Sequence, residues 1–117
     1  MESVGLILDE LLRFSGVRSA LLAGREGLVI QMRGEREVDG ETLAAIVPGV
    51  IASSVEAADA MEAGGFRQGV FEFESGLLVL SAVDAENFLA VAVRSGENVG
   101  ELLFTLERER TRLKELV

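Results

Sequence analysis

Apolar and polar positions switch between a helical and an extended rhythm along the chain, and the switches fall on glycine, asparagine and aspartate. In the segment Ser3 to Phe14, Val4, Ile7, Leu8 and Leu11 recur at spacings of three and four, which predicts a first helix that Gly16 stops. Two short apolar runs follow, VRSALLA from Val17 to Ala23 and LVIQM from Leu28 to Met32. Gly24-Arg25-Glu26-Gly27 between them predicts a hairpin. After the polar loop Gly34-Glu35-Arg36-Glu37, Asp39 is placed to cap a long second helix running to about Ala63, closed by Gly64-Gly65. Its expected buried stripe is Leu43, Ile46, Val47, Val50, Ser54, Ala58 and Met61. Pro48 lies inside that pattern without a backbone donor, so either a kink or a helix that properly begins near Pro48 is expected.

Three extended segments come next: Phe66 to Glu74, Leu77 to Val83, and Phe88 to Arg94, turned by Ser75-Gly76 and Asp84-Ala85-Glu86-Asn87. The first alternates, with Phe71 and Phe73 on one side and Gln68, Glu72 and Glu74 on the other, whereas LLVLSAV and FLAVAV are apolar on both sides. Alternation means that one face meets water and continuity means that both faces are covered, so the Phe66 strand belongs at an edge and the other two in mid-sheet. A last helix opens at Asn98 with Glu101 as capping-box partner. Val99, Leu102, Leu103, Leu106, Leu113 and Leu116 form its stripe, and Glu107, Arg108, Glu109, Arg110 and Arg112 a charged belt. The order helix, hairpin, helix, meander, helix predicts one α+β domain over residues 1–117. It is a three-layer α/β/α sandwich around a five-stranded antiparallel sheet, with helix two on one face and helices one and three on the other.

Two surfaces stand out from that arrangement. On the outer side of helix two, Ala45, Gly49, Ala52, Ser53, Ala57 and Ala60 replace the long charged side chains that solvent-facing helices carry, which lets another helix approach closely. Alanine chosen for helix propensity is the plain account, but Gly49 and Pro48 are poor helix formers and argue against it. The Phe66 to Glu74 edge presents unpaired backbone groups unless something pairs with it; Glu72 and Glu74 either keep it soluble or border a joint across a two-fold axis.

Composition narrows the function. The 117 residues suffice for one core. With neither histidine nor cysteine, acyl-transfer triads, thiol nucleophiles and zinc sites of the usual kind are excluded. Glu35, Glu37, Asp39 and Glu41 have the spacing of a solvated loop, with a hard-metal site as the lesser alternative. No glycine set forms a GxxxxGK-Ser/Thr or strand-linked GxGxxG phosphate loop. No catalytic residue, cofactor or metal is therefore expected. A net charge of -9, eleven basic residues against twenty acidic, disfavours nucleic acid. No apolar run approaches the about eighteen residues of a membrane span, and Met-Glu-Ser-Val-Gly lacks the features of a secretory leader, so a cytoplasmic protein without a membrane partner is expected.

The stretch GVRSALLAGREGLVIQ, the Ala-rich helix from Glu41 to Ala63, the meander GLLVLSAVDAENFLAVAV and Asn98-Val99-Gly100 together resemble, in order and length, the roadblock/dynein light chain domains. A profilin-like or longin-like sandwich is the structural alternative. The resemblance implies homodimers or heterodimers that set their middle helices side by side and join the meander's first strands. It also implies a Ras-like small GTPase as partner, as for the bacterial gliding-motility regulators, or else a dimerising adaptor role like that of the dynein-associated relatives. Carried over by position, Ala45, Gly49, Ala52, Ser53, Glu56 and Ala60 would join the paired-helix face and Gln68, Val70 and Glu72 the joined strands. Which flank of helix two meets its twin and which the GTPase stays open. Arg25, in the hairpin turn, is the most exposed-looking candidate for a donated arginine, a role that the resemblance does not require.

Overall fold

The computed structural model describes residues 3–117. Helix α1 (Val4–Leu11) begins where the Ser3 hydroxyl accepts the Leu6 N–H, and it buries Ile7, Leu8 and Leu11 completely. The chain leaves it through Gly16, whose φ of +79° suits a residue without Cβ. Strands β1 (Val17–Gly24) and β2 (Val29–Gly34) form the predicted hairpin, with a register shift between Leu22 and Ala23. Helix α2 (Gly40–Ala60) is capped by Asp39, which accepts from the Thr42 N–H at 3.1 Å and the Thr42 hydroxyl at 2.7 Å. Strands β3 (Gln68–Phe73), β4 (Gly76–Ala82) and β5 (Asn87–Arg94) form the meander, and α3 (Gly100–Leu116) follows.

All five strands join one antiparallel sheet in the order β2-β1-β5-β4-β3. The continuous apolar segments β4 and β5 lie inside it, and the alternating β3 lies at an edge, as their patterns predict. Side chains of successive residues leave opposite faces, so β1, β4 and β5 each feed two separate cores. One, under α1 and α3, gathers Leu22, Val79, Leu89, Val91 and Val93 against Ile7, Leu8, Leu11, Leu102, Leu106 and Leu113. The other, under α2, gathers Leu21, Leu80, Phe88 and Ala90 against Ala44, Val47 and Ile51. The expected three-layer α/β/α sandwich is the fold found.

Some details differ from expectation. Of the two outcomes expected at Pro48, a helix that begins there is not found: α2 starts at Gly40, eight residues earlier, where the Asp39 cap holds its first turn, and it includes Pro48. Its buried stripe is rotated: Ala44, Val47 and Ile51 face the sheet, while Ile46 (58% exposed) and Met61 (70% exposed) face outward. A helix buries a strip set by what lies beneath it, and here only one flank of α2 has sheet below. By length and composition α2 is also apolar enough to cross a membrane, contrary to the expectation that no segment comes near. Its outward alanines and glycine, in place of lysine and glutamate, make it so.

Helix α3 starts two residues later than predicted. Val99 is its N-cap and Asn98 accepts the Gly100 N–H at 2.9 Å instead of capping. The charged belt is also split, since Glu109 is buried between Leu106 and Leu113 on the core-facing stripe, where Arg112 pairs with it. Leu116, placed on that stripe by pattern, is exposed at the last turn.

Candidate docking face

Helix α2 approaches β2 and β1 most closely, and this offset leaves the β3 side of the same sheet face without a cover. The consequence is visible on β3. Phe71 is registered with Leu78 and Phe73 with Gly76, on the α2 side of the sheet, yet both rings are exposed. Between them and the helix lies an open groove lined by Ile46, Gly49, Val50, Ser53, Ser54 and Phe71, about 570 Å³ in volume. Large exposed apolar side chains beside small ones make a surface suited to a close-packing partner.

The predicted helix residues Ala45, Gly49, Ala52, Ser53, Glu56 and Ala60 are all exposed on the outward side of α2. A Cβ added to Gly49 would meet nothing within 4 Å, so a side chain there would extend away from the subunit's own core. The backbone edge of β3 is open as well. The Ala82 N–H donates to the Arg67 carbonyl at 2.9 Å, which makes that pair, and by alternation Gly69–Leu80 and Phe71–Leu78, the hydrogen-bonded ones. The N–H and C=O groups of Gln68, Val70 and Glu72 therefore point off the sheet.

The side chains of those three strand residues lie on the opposite face from the groove, beside α3. Gln68 donates to the Leu103 carbonyl at 3.3 Å and to Glu107 at 3.1 Å, and Val70 is exposed. The strand thus offers backbone at its edge, Phe71 and Phe73 toward the helix groove, and Gln68 toward α3. Sequence reasoning omitted Ile46, Phe71 and Phe73 from the candidate face. An alternating strand whose rings have no helix above them was the available signal, and the error over the stripe of α2 concealed it.

Charge on this face is one-signed. Helix α2 carries Glu41, Glu56 and Asp59 and no lysine or arginine. Thr42 hydrogen bonds hold the Asp39 carboxyl below its ordinary value. Near the strand edge, the Arg67 hydrogen bond, helped by Arg110, holds Glu107 below its ordinary value against the opposing effect of burial. Arg25 is less exposed than its turn position suggested: it is partly buried and donates to the Asp84 carbonyl at 3.2 Å, away from the α2 groove. Among the described residues no group of three or more Asp and Glu side chains comes together as a metal site would need.

An antiparallel meander with two helices on one face, and on the other a single offset helix that leaves a groove and a strand edge open, defines an α+β sandwich built around an uncovered face. The chain belongs to the Roadblock/LC7 domain family, whose model matches residues 3–93. It is similar to an uncharacterized protein of Methanocaldococcus jannaschii, 28% identical over 109 residues that cover 92% of this chain and 91% of that protein. A Roadblock/LC7 domain from Streptomyces avermitilis has the same fold, with a TM-score of 0.86 at 22% identity over 97% of each chain. So does the gliding protein MglB from Thermus thermophilus, with a TM-score of 0.84 at 23% identity over 96% of this chain and 86% of that one.

Proposed function

We propose that this chain works in the cytoplasm as a homodimer, joined through α2 and β3, that binds a Ras-like small GTPase and modulates its nucleotide cycle. The observation that carries the reading is the open groove of Ile46, Gly49, Ser53 and Phe71 lying beside an unpaired strand edge. A second copy brought in about a two-fold axis would answer both at once, because an isologous contact sets the same helix and the same strand of each subunit against each other. Family membership and the fold shared with MglB support the GTPase as partner.

The regulator supplies surface and not chemistry. The outward side of α2 holds no cation that could enter a GTPase site as a donated arginine, a device worth about 10³–10⁵-fold in rate where it is used. Modulation would therefore act by ordering the GTPase's own loops. The same observation favours a second reading, in which the dimer tethers its partner and leaves turnover alone.

One experiment separates the two. The Ras-like GTPase of the same organism is titrated with the protein, and binding and single-turnover GTP hydrolysis are followed together. Binding with altered hydrolysis supports regulation, and binding with unaltered hydrolysis supports the adaptor. No binding with either GDP or GTP loaded contradicts both.

A further inference from the structure

A second cavity lies at the opposite end of the molecule from the β3–β4 turn. It is an open pocket of about 310 Å³, lined by the β1–β2 turn, Val55 of α2, the loop after that helix, the β4–β5 turn and α3. That exceeds many times the ~10–15 Å³ that one water needs. Three arginines line it, Arg25, Arg67 and Arg110, with a single carboxylate, Asp84. In a chain of net charge -9 this is a local inversion of sign.

Two of the three arginines are already paired. Arg110 is spent on the frame: it donates to the carbonyls of Ala82 at 2.7 Å and Arg67 at 3.3 Å and pairs with Glu107 at 3.1 Å. Arg67 pairs with the same Glu107. Arg25 differs. Of the arginines that are not exposed, Arg18, Arg33, Arg110 and Arg112 each have a carboxylate within 4 Å, and Arg25 has none among the described residues. Its one side-chain bond goes to a backbone carbonyl, and its Nε is buried without a partner. A partly buried cation left in this state is costly unless something anionic completes it.

The nearby carboxylate does not do so. Asp84 Oδ1 accepts from the N–H groups of Glu86 and Asn87, both at 2.8 Å, and both its oxygens accept from the Asn87 amide. That carboxylate is committed to its own turn and presents only its backbone oxygen to Arg25. The cavity thus has a guanidinium with free donors, two more at its wall, and no internal counter-ion for the first.

We propose that this cavity is an oxyanion site, in which Arg25 grips a phosphate or carboxylate group of a ligand while Arg67 and Arg110 add positive potential from the side. The planar fork of arginine matches either group in a two-point contact, and Asp84 sets an upper limit on affinity by repulsion. The site is separate from the α2 groove and does not rest on the proposed GTPase partner.

The test is amide chemical-shift mapping of the full chain during titration with inorganic phosphate and, separately, acetate, each against sodium chloride at equal ionic strength and fixed pH. Shifts confined to the turns at Arg25, Gly65–Arg67 and Asp84–Asn87 are expected, with phosphate the tighter if the natural group is a phosphate and acetate if it is a carboxylate. Arg25→Gln should weaken binding by about tenfold or more, the loss of one charge-assisted two-point contact. Asp84→Asn keeps the turn's acceptor and removes the repulsion, so it should tighten binding by about threefold. Shifts that chloride reproduces, an Arg25→Gln chain that binds as before, or an Asp84→Asn chain that binds no tighter would each overturn the proposal.

Discussion

The two faces of the sheet are built from the same alternating strands and end up in different states. Beneath α1 and α3, Val79, Leu89, Val91 and Val93 are buried under two helices through Ile7, Leu8, Leu11, Leu102, Leu106 and Leu113, and of the β3 side chains on this face Gln68 is tied to α3 while Val70 stays exposed. Beneath α2 a single helix covers Leu21, Leu80, Phe88 and Ala90 and then runs out of width, so Phe71, Phe73 and Ile46 remain exposed. The difference lies in the number of helices per face and not in the character of the strands. One helix cannot span five strands, since helices pack at about 8–10 Å and strands are spaced about 4.8 Å apart. In the proposed dimer the second copy completes the layer over that uncovered remainder.

The contrast predicts unequal responses to equivalent substitutions. Leu106→Ala removes a completely buried side chain from the two-helix face and should cost about 3 kcal/mol in urea unfolding, within the range for leucine-to-alanine changes in cores. Loss of under 1 kcal/mol there would break the comparison. Asp39→Ala, which strips the α2 cap of both its Thr42 bonds, should cost about 1 kcal/mol by the same measurement, with the loss of helical signal confined to one helix. Phe71→Ala should cost least, under about 0.5 kcal/mol when measured on a monomeric Gly49→Arg background, since its ring is exposed within the subunit. The same change in the otherwise natural chain should weaken self-association, read by dilution in an analytical ultracentrifuge.

Much of this was legible in the pattern of apolar positions. The strand order's interior and edge followed from continuity in LLVLSAV and FLAVAV against alternation in β3, because burial on two faces leaves no place for polar residues. The stripe of α2 was less legible, since a helix of alanine, valine and isoleucine gives no charged side to orient it. The assignment of Ile46 and Met61 to the core failed for that reason, and with it the chance of placing Ile46 and Phe71 in one groove. The buried Glu109 was hidden in the run Glu107 to Arg112, where only the packing of α3 on the sheet decides which carboxylate turns inward. The arginine cavity was not legible at all, because Arg25, Arg67 and Asp84 are brought together from three separate connections and Arg110 from α3.

Acid should act on both faces through the paired carboxylates. Hydrogen bonding by Arg18, with Arg94, lowers Glu35, Arg67 lowers Glu107, and Thr42 lowers Asp39. At Asp84 burial pushes upward, but the Glu86 and Asn87 bonds outweigh it and the net direction is down. Groups depressed in the folded state add stability above their unfolded values and lose it as pH falls through the folded ones. Urea midpoints should therefore be level from about pH 6 to pH 8 and fall below the ordinary values of 4.5 for Glu35 and 3.8 for Asp39. A midpoint that rises on acidification would contradict these pairings.

The most direct measurement is the molar mass in solution of the natural chain and of Gly49→Arg, by light scattering after size exclusion, with circular dichroism recorded on both. With 12.5 kDa per chain, the natural protein should have the mass of two chains and Gly49→Arg that of one, with unchanged secondary structure, since nothing within the subunit lies near a Cβ at Gly49. A natural chain of 12.5 kDa at high concentration, or a Gly49→Arg chain that keeps the doubled mass, would contradict the account.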